Sequence, residues 1–147
     1  MSEGDGASAT PAGDAHGRGA DPTYAASVVG GSGFTGGELL RLLHHHPAFS
    51  VVQATSRSKE RKTVGHVHPN LRGMDLRFTS PAELEPVDVL FAATPHGVSM
   101  ERIDAFREAA DTVVDLSADF RLDSEAEYDE WYDGHSRPDL LDESEYA

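Results

Sequence analysis

The stretch "SVVGGSGFTGGELLRLL", residues 27–43, decides the fold. A short apolar run ends at glycines and hydroxyl-bearing residues, and leucines at helical spacing follow until Pro47. This order predicts a buried strand over residues 25–29, then a tight turn, then a helix. The helix is expected to bury one face that carries four leucines: Leu39, Leu40, Leu42 and Leu43.

Further apolar segments alternate with polar ones along the rest of the chain. We predict strands over residues 51–55, 76–78, 87–94 and 112–116, a loop over 57–75, and a brief helical turn over 80–86. A second helix is expected after residue 99, with Ile103, Phe106 and Ala110 on one stripe. Strands that alternate with helices indicate an α/β fold, Rossmann-like and doubly wound, with a mainly parallel sheet.

The glycines of the first turn fit two dinucleotide-binding registers. Gly31, Gly33 and Gly36 satisfy G-x-G-x-x-G, whereas Gly30, Gly33 and Gly36 satisfy G-x-x-G-x-x-G. In either register, backbone N–H groups and the positive helix end would hold a diphosphate, although the glycines could serve a tight turn alone. The predicted phosphate-binding residues are Gly30, Ser32, Gly33, Phe34, Thr35 and Gly36.

The end of the second strand indicates which dinucleotide is bound. An NAD enzyme places an acidic residue there for the ribose 2′-hydroxyl, but this chain has Ser56, Arg57 and Ser58. Hydroxyls and a guanidinium suit a 2′-phosphate, and Lys59 and Arg61 add positive charge nearby. We therefore predict NADP as the cofactor; the alternative is a solvated basic loop without a ligand.

Thr94 and Pro95 lie at the carboxyl end of the predicted strand 87–94, where open α/β sheets bind ligands, so we assign them to the nicotinamide ribose. The alternative is a plain connection between strand and helix. His96 has an imidazole suited to proton transfer. The neighbouring Ser117, Asp119 and Arg121 could meet an anionic substrate group, but pairing within their own loop is the favoured interpretation.

Composition excludes several classes of function. The 147 residues contain 26 acidic and 12 basic side chains, giving a net charge of −14 and a pI near 4.7. Such a charge disfavours nucleic acid and anionic membranes, and it suits a salt-rich cytoplasm. We expect a soluble cytoplasmic protein, with an acidic disordered leader over residues 1–23 and one domain over residues 24–147.

Two other groups of side chains are interpreted without a bound ligand. The consecutive His44, His45 and His46 point in different directions on a helix, and His66 and His68 lack a third ligand, so no metal site is predicted. Near the end of the chain, Ser124 and Glu127 form a capping box, and an aromatic stripe follows that we interpret as a packing face. Its members are Tyr128, Trp131 and Tyr132.

Five blocks carry a family resemblance: "VVGGSGFTGGELLRLL", "ATSRS", "VHPNLRG", "FAATPHGVS" and "VVDLSADFRL". In this order and spacing they resemble the N-acetyl-gamma-glutamyl-phosphate reductases. The chain is also similar to archaeal relatives whose glutamate or 2-aminoadipate phosphate substrate is bound to an acidic amino-group carrier protein. The resemblance implies NADPH-dependent reduction of an acyl phosphate to an aldehyde in arginine or lysine biosynthesis, by an enzyme that forms homo-oligomers.

In that family a cysteine thiolate displaces phosphate, and a histidine assists. This chain contains no cysteine, so no catalytic residue is assigned to it, and His96 does not match the assisting histidine. The expectation is therefore the cofactor half of a longer enzyme, without its substrate and dimerisation domain and inactive alone. The alternatives are an enzyme similar to aspartate-semialdehyde dehydrogenase and a non-catalytic NADP-sensing module.

Overall fold

The computed structural model describes residues 24–117, 119–120, 126 and 134–145. The predicted leader, Arg121, the capping box and the aromatic stripe lie outside these residues. Eight elements follow one another along the described chain: β1 (Tyr24–Val29), α1 (Phe34–His44), β2 (Phe49–Thr55), α2 (Val64–Val67), β3 (Phe78–Thr79), β4 (Val87–Ala92), α3 (Val98–Ala109) and β5 (Ala110–Asp115). Two short 3-10 turns occupy Pro69–Leu71 and Pro138–Glu143.

The five strands form one parallel sheet in the order β3-β2-β1-β4-β5. The chain runs outward from β1 through β2 to β3, then crosses to the other side of β1 and continues through β4 to β5. The direction of winding therefore reverses between β1 and β4. Open α/β sheets bind ligands outside the carboxyl ends of their strands at such a reversal.

Two apolar clusters cover opposite faces of the sheet, which confirms the doubly wound prediction. The first packs α1 and the region around α2 on the sheet through Ala26, Val28, Leu40, Leu43, Ala54, Val64, Leu71, Met74 and Phe78. The second packs α3 on the other face through Val29, Val87, Leu90, Ala92, Ile103, Phe106, Ala110 and Leu140. At about 25 cal/mol per Å² of buried apolar area, these two clusters supply the main stabilisation.

Three sequence predictions about these elements are wrong in detail. Leu42 is 57% exposed, because it lies on the flank of α1 that turns away from the sheet, while Leu40 and Leu43 are buried. Ala110 is buried in β5 rather than in α3. The segment predicted as a loop contains α2, whose N-terminus is capped by the Thr63 side chain accepting from His66 N.

Buried Gln53 fixes the register of β2 and the connection to β4. Its amide nitrogen donates to Thr79 Oγ1 at 2.9 Å and to the carbonyl oxygen of Glu83 at 2.6 Å. Its amide oxygen accepts from Glu85 N at 3.0 Å. The pairing of β1 with β2 shifts next to this residue, so Val52 is left as an extra residue in β2. A buried amide with these partners holds residues 83–85 against the sheet.

Candidate functional site

The turn between β1 and α1 places its glycines where side chains cannot fit. Gly30 has φ of +80°, and a Cβ there would lie 2.5 Å from the carbonyl oxygen of Ala93. A Cβ at Gly36 would lie 2.2 Å from the carbonyl oxygen of Gly30. Both contacts are with backbone atoms, which have little room to move, so these two glycines are required by the turn itself.

Gly33 differs from its neighbours because the space beside it is open. The nearest atom to a Cβ at this position would be Gly30 O, at 3.9 Å, which is an ordinary contact. No fold requirement among the described residues explains this glycine, whereas close approach of a ligand to the backbone does. Gly30 and Gly36 thus supply the tight turn and the close packing, while Gly33 leaves the backbone open, which favours the G-x-x-G-x-x-G register.

The N-terminus of α1 is open to a ligand. Gly33 is its N-cap residue, and no side chain in the described part of the chain caps it. The first N–H groups of an α-helix have no partner within the helix, and they carry a positive partial charge. Thr35 is exposed, so both its hydroxyl and its backbone N–H are suited to a phosphate. Phe34 is 87% exposed, but its ring has no hydrogen-bond donor, so only its backbone N–H is suited to a phosphate.

The N-terminus of α3, at the same edge of the sheet, is capped by an acidic side chain. Asp119 is fully buried, and its carboxylate accepts hydrogen bonds from Gly97 N and Met100 N, both at 3.0 Å. His96 Nδ1 lies 3.3 Å from the same carboxylate. Asp119 therefore has the structural role favoured by the sequence, although its partners are the backbone of α3 and His96 rather than its own loop alone.

Polar contacts join this loop to the end of β5. Ser117 donates from N and Oγ to Asp115 at 3.0 and 2.9 Å, and its Oγ accepts from Asp119 N at 3.1 Å. Ser99 Oγ donates to Asp115 at 2.7 Å, and it lies 3.0 Å from Thr94 Oγ1. The Thr94 hydroxyl is thus tied to α3, and Pro95 beside it is exposed.

The loop after β2 lies beside the glycine turn. Ser32 Oγ and Ser56 Oγ are 2.7 Å apart, and Ser56 Oγ also accepts from Lys59 N at 3.0 Å. Ser56 is buried, so it joins the two loops, while the Arg57 and Ser58 side chains are exposed. The predicted residues at the ends of β1, β2 and β4 thus lie along one edge of the sheet, on both sides of the reversal in winding.

Residues 57–77 form a basic surface on an acidic chain. They contain six of the 12 Lys and Arg side chains of the sequence, against two acidic ones. All six are exposed in the structure: Arg57, Lys59, Arg61, Lys62, Arg72 and Arg77. Such a local excess of positive charge beside an open helix N-terminus suits a ligand with several phosphates.

The structure adds one residue that the sequence analysis considered only as a metal ligand. His68 Nε2 lies 2.8 Å from the carbonyl oxygen of Gly31, which brings the segment after α2 against the glycine turn. The paired glycines Gly36 and Gly37 were a signal that something packs on the start of α1, but not which residue. No group of three or more metal-ligating side chains occurs among the described residues.

The sequence model of the family described as semialdehyde dehydrogenase, NAD binding domain, matches residues 25–134. The chain belongs to this family. The glycine turn, the basic loop and the end of β4 all lie within the matched residues.

Curated relatives of this NAD-binding domain are named LysW-L-2-aminoadipate/LysW-L-glutamate phosphate reductase. The relative from Haloarcula marismortui is 80% identical over 125 residues, which are 85% of this chain and 36% of that protein. Natronomonas pharaonis has one 78% identical over 84% of this chain and 36% of its own length. Pyrococcus horikoshii has one 50% identical over 82% and 36%. The chain thus spans about a third of the length of these relatives.

Among solved structures, aspartate semialdehyde dehydrogenase with NADP from Candida albicans has a similar fold. Its TM-score is 0.54 at 19% identity, over 70% of this chain and 32% of that chain. This likeness confirms the Rossmann-like architecture. No helix in the described part of the chain is long and apolar enough to cross a bilayer.

Proposed function

We propose that this semialdehyde dehydrogenase domain binds NADP(H) for the reduction of an acyl phosphate to an aldehyde. The observation that carries the proposal is the open N-terminus of α1 at Gly33, beside a basic loop in which no carboxylate follows β2 directly. A carboxylate at that position would repel a 2′-phosphate, whereas the exposed guanidinium of Arg57 can form two parallel hydrogen bonds with one.

In this proposal, three groups of residues bind three different parts of the cofactor. The N–H groups of Phe34, Thr35 and Gly36 and the Ser32 hydroxyl bind the diphosphate, as does the open backbone at Gly33. Arg57 and Ser58 bind the 2′-phosphate, while buried Ser56 keeps their loop beside the turn. Thr94 and Pro95, after β4, contact the nicotinamide ribose.

The substrate proposed is 2-aminoadipate or glutamate phosphate attached to an amino-group carrier protein. Support comes from relatives 50 to 80% identical that are named for LysW-linked substrates. NADPH supplies a hydride and the solvent a proton, and the products are the aldehyde, NADP and inorganic phosphate. This chain has no cysteine, so we propose that it is the cofactor-binding part of a longer enzyme that provides the nucleophile elsewhere.

Calorimetric titration of the chain with NADPH and with NADH tests the cofactor. We expect NADPH to bind at least about tenfold more tightly, because each hydrogen bond to a charged group contributes about 1.5–3 kcal/mol. Arg57→Ala should remove this preference and leave NADH binding unchanged. Equal affinities in the wild type would contradict the assignment of NADP.

Arg41→Ala is the matched control for charge. Arg41 lies on the exposed face of α1 and donates to Glu38 Oε2 from Nε at 3.0 Å and from Nη2 at 2.8 Å. The hydrogen bond with Arg41 and its positive charge lower the pKa of the Glu38 carboxyl. Removing this arginine changes the net charge as Arg57→Ala does, and it should leave the preference for NADPH intact.

A further inference from the structure

His68 contacts the glycine turn through a single ring nitrogen. Its Nε2 lies 2.8 Å from the carbonyl oxygen of Gly31, 37 residues earlier in the chain. A carbonyl oxygen can only accept, so Nε2 carries the hydrogen and donates it. The Gly31 amide on the other side of the same residue donates to Thr55 O at 2.9 Å. Gly31 is therefore held from two directions, by β2 and by His68.

The same ring fills the space beside the start of α1. A Cβ at Gly37 would lie 2.5 Å from Cε1 of His68 and 2.7 Å from its Nδ1. On another side the ring meets Phe78 edge-on, with ring centres 6.4 Å apart and planes at 70°. Packed between α1 and buried Phe78, the imidazole has little freedom to turn away from Gly31.

The backbone around His68 is itself fixed. His68 N donates to Val64 O, and Leu71 N donates to His68 O, both at 2.8 Å. Val64 and Leu71 are buried in the cluster beneath α1. A Cβ at Gly65 would lie 2.8 Å from Arg72 Cα, so α2 and the turn after it are closely packed. Residues 64–72 therefore form a closely packed segment that contacts the glycine turn through His68.

The contact fixes the direction of one peptide group in that turn. The chain contains no cis peptide among the described residues, so the carbonyl of Gly31 and the N–H of Ser32 point in opposite directions. Holding the carbonyl toward His68 therefore turns the Ser32 N–H to the other side. Ser32 precedes Gly33, the open N-cap residue of α1.

We propose that His68 is a positioning residue of the dinucleotide site: its Nε2–H orients the Gly31–Ser32 peptide, and this orientation sets the affinity for the diphosphate. The proposal rests on the proposed function, since it concerns the same site. It gives the "HPNLRG" segment a role, because His68 from this segment supports the turn that holds the cofactor.

Two amide substitutions test the role of the donor. A glutamine amide nitrogen reaches about where Nε2 of histidine lies, whereas the asparagine amide is one methylene shorter and lies nearer Nδ1. Calorimetric titration of the full chain with NADPH should give His68→Gln an affinity within about twofold of the wild type, and His68→Asn one about threefold to tenfold weaker. Melting temperatures, measured in parallel, establish that the variants are folded at the titration temperature.

Matched controls come from the same segment. His66→Asn changes an exposed histidine two residues away and should leave the affinity unchanged. Gly37→Ala should weaken binding because the new methyl group displaces the ring, whereas a Cβ at Gly73 meets nothing within 4 Å, so Gly73→Ala should have no effect. Equal affinities for folded His68→Asn and the wild type would overturn the proposal, as would equal losses in both amide variants.

A spectroscopic measurement tests the hydrogen bond without any ligand. Long-range nitrogen–proton correlation of the histidine rings should show His68 protonated at Nε2 and not at Nδ1 at a pH where the imidazole is neutral, and the opposite tautomer would overturn the proposal. Failure of the wild type to bind either nucleotide would overturn the proposed function together with this proposal. Wild-type binding with an unaffected His68→Asn would overturn this proposal alone.

Discussion

Ser32 and Ser56 share a hydrogen bond of 2.7 Å that joins the glycine turn to the loop after β2. One serine lies in the proposed diphosphate turn, and the other directly precedes Arg57. The bond therefore couples the two parts of the proposed site, which are assigned to different phosphates of one cofactor. Since Ser56 is buried, its hydroxyl is an internal support rather than an exposed contact.

Ser56→Ala should lower both stability and cofactor affinity. The substitution leaves Ser32 Oγ without this partner and Lys59 N without an acceptor, so we expect the free energy of unfolding to fall by about 1–2 kcal/mol. NADPH affinity should fall severalfold because the two loops lose their alignment. Urea unfolding and calorimetry measure the two effects. The control Ser58→Ala removes an exposed hydroxyl, and a loss of stability as large as that of Ser56→Ala would contradict the argument.

Two glycine substitutions in one turn should separate folding from binding. Gly36→Ala places a methyl group 2.2 Å from Gly30 O, so we expect a loss of stability of about 1–3 kcal/mol. Gly33→Ala meets only Gly30 O at 3.9 Å and should change stability by less than about 1 kcal/mol. Its methyl group enters the space proposed for the diphosphate, and NADPH affinity should fall about tenfold.

Thermal unfolding and calorimetric titration of both variants provide the comparison. The expected pattern is a folded but weakly binding Gly33→Ala and a destabilised Gly36→Ala. If Gly33→Ala bound NADPH as well as the wild type does, the diphosphate could not approach the backbone at this residue. Both registers of the glycine motif contain Gly33, so neither would then describe how the diphosphate binds.

Asp119→Ala should uncover the N-terminus of α3. The buried carboxylate accepts from two backbone N–H groups, so its removal should cost about 2 kcal/mol or more of unfolding free energy. An added anion can occupy the vacated position. Sulfate should therefore raise the melting temperature of Asp119→Ala more than that of the wild type, when compared with KCl at equal ionic strength. An equal response of the two proteins would show that Asp119 does not act as the cap.

Stability should increase with KCl concentration. The net charge of −14 makes the folded chain repel itself, and salt screens this repulsion. The relatives from Haloarcula marismortui and Natronomonas pharaonis, 80 and 78% identical, are haloarchaeal. We expect the melting temperature to rise by about 5 °C or more between low and molar KCl. As a control, a non-ionic osmolyte at low concentration should not raise the melting temperature as steeply as KCl does. Identical melting curves across the range of KCl concentrations would refute the expectation.

Local sequence patterns were sufficient to predict much of the architecture. The positions of β1, β2, β4, β5 and the two longer helices follow from apolar runs, glycine turns and helical periodicity within short windows. The helix α2 has only four residues, which is too short to show a period, and the polar sequence around it is typical of a loop. Leu42 was misplaced because a helix with four leucines in five positions cannot bury all of them on one sheet.

Such local patterns do not predict contacts between residues that are far apart in the sequence. His68 lies 37 residues from Gly31, and Asp119 lies 22 residues from Gly97, so neither pair leaves a periodic signature. Ser56 was predicted to bind the cofactor, and its residue type gave no indication that it would be buried against Ser32. Sequence patterns therefore nominate candidate ligand contacts more readily than the residues that hold those candidates in place.

The buried carboxylate of Asp119 also gives the carboxyl edge of the sheet an electrical asymmetry. Its negative charge offsets the positive end of α3, on the β4 side. The positive end of α1 has no side-chain cap among the described residues, and its glycine turn is joined through Ser32 to the loop after β2. A polyanion that approaches this edge is therefore expected to be attracted more strongly on the β2 side. If the proposed function holds, this asymmetry favours a dinucleotide whose more heavily phosphorylated half lies toward β2.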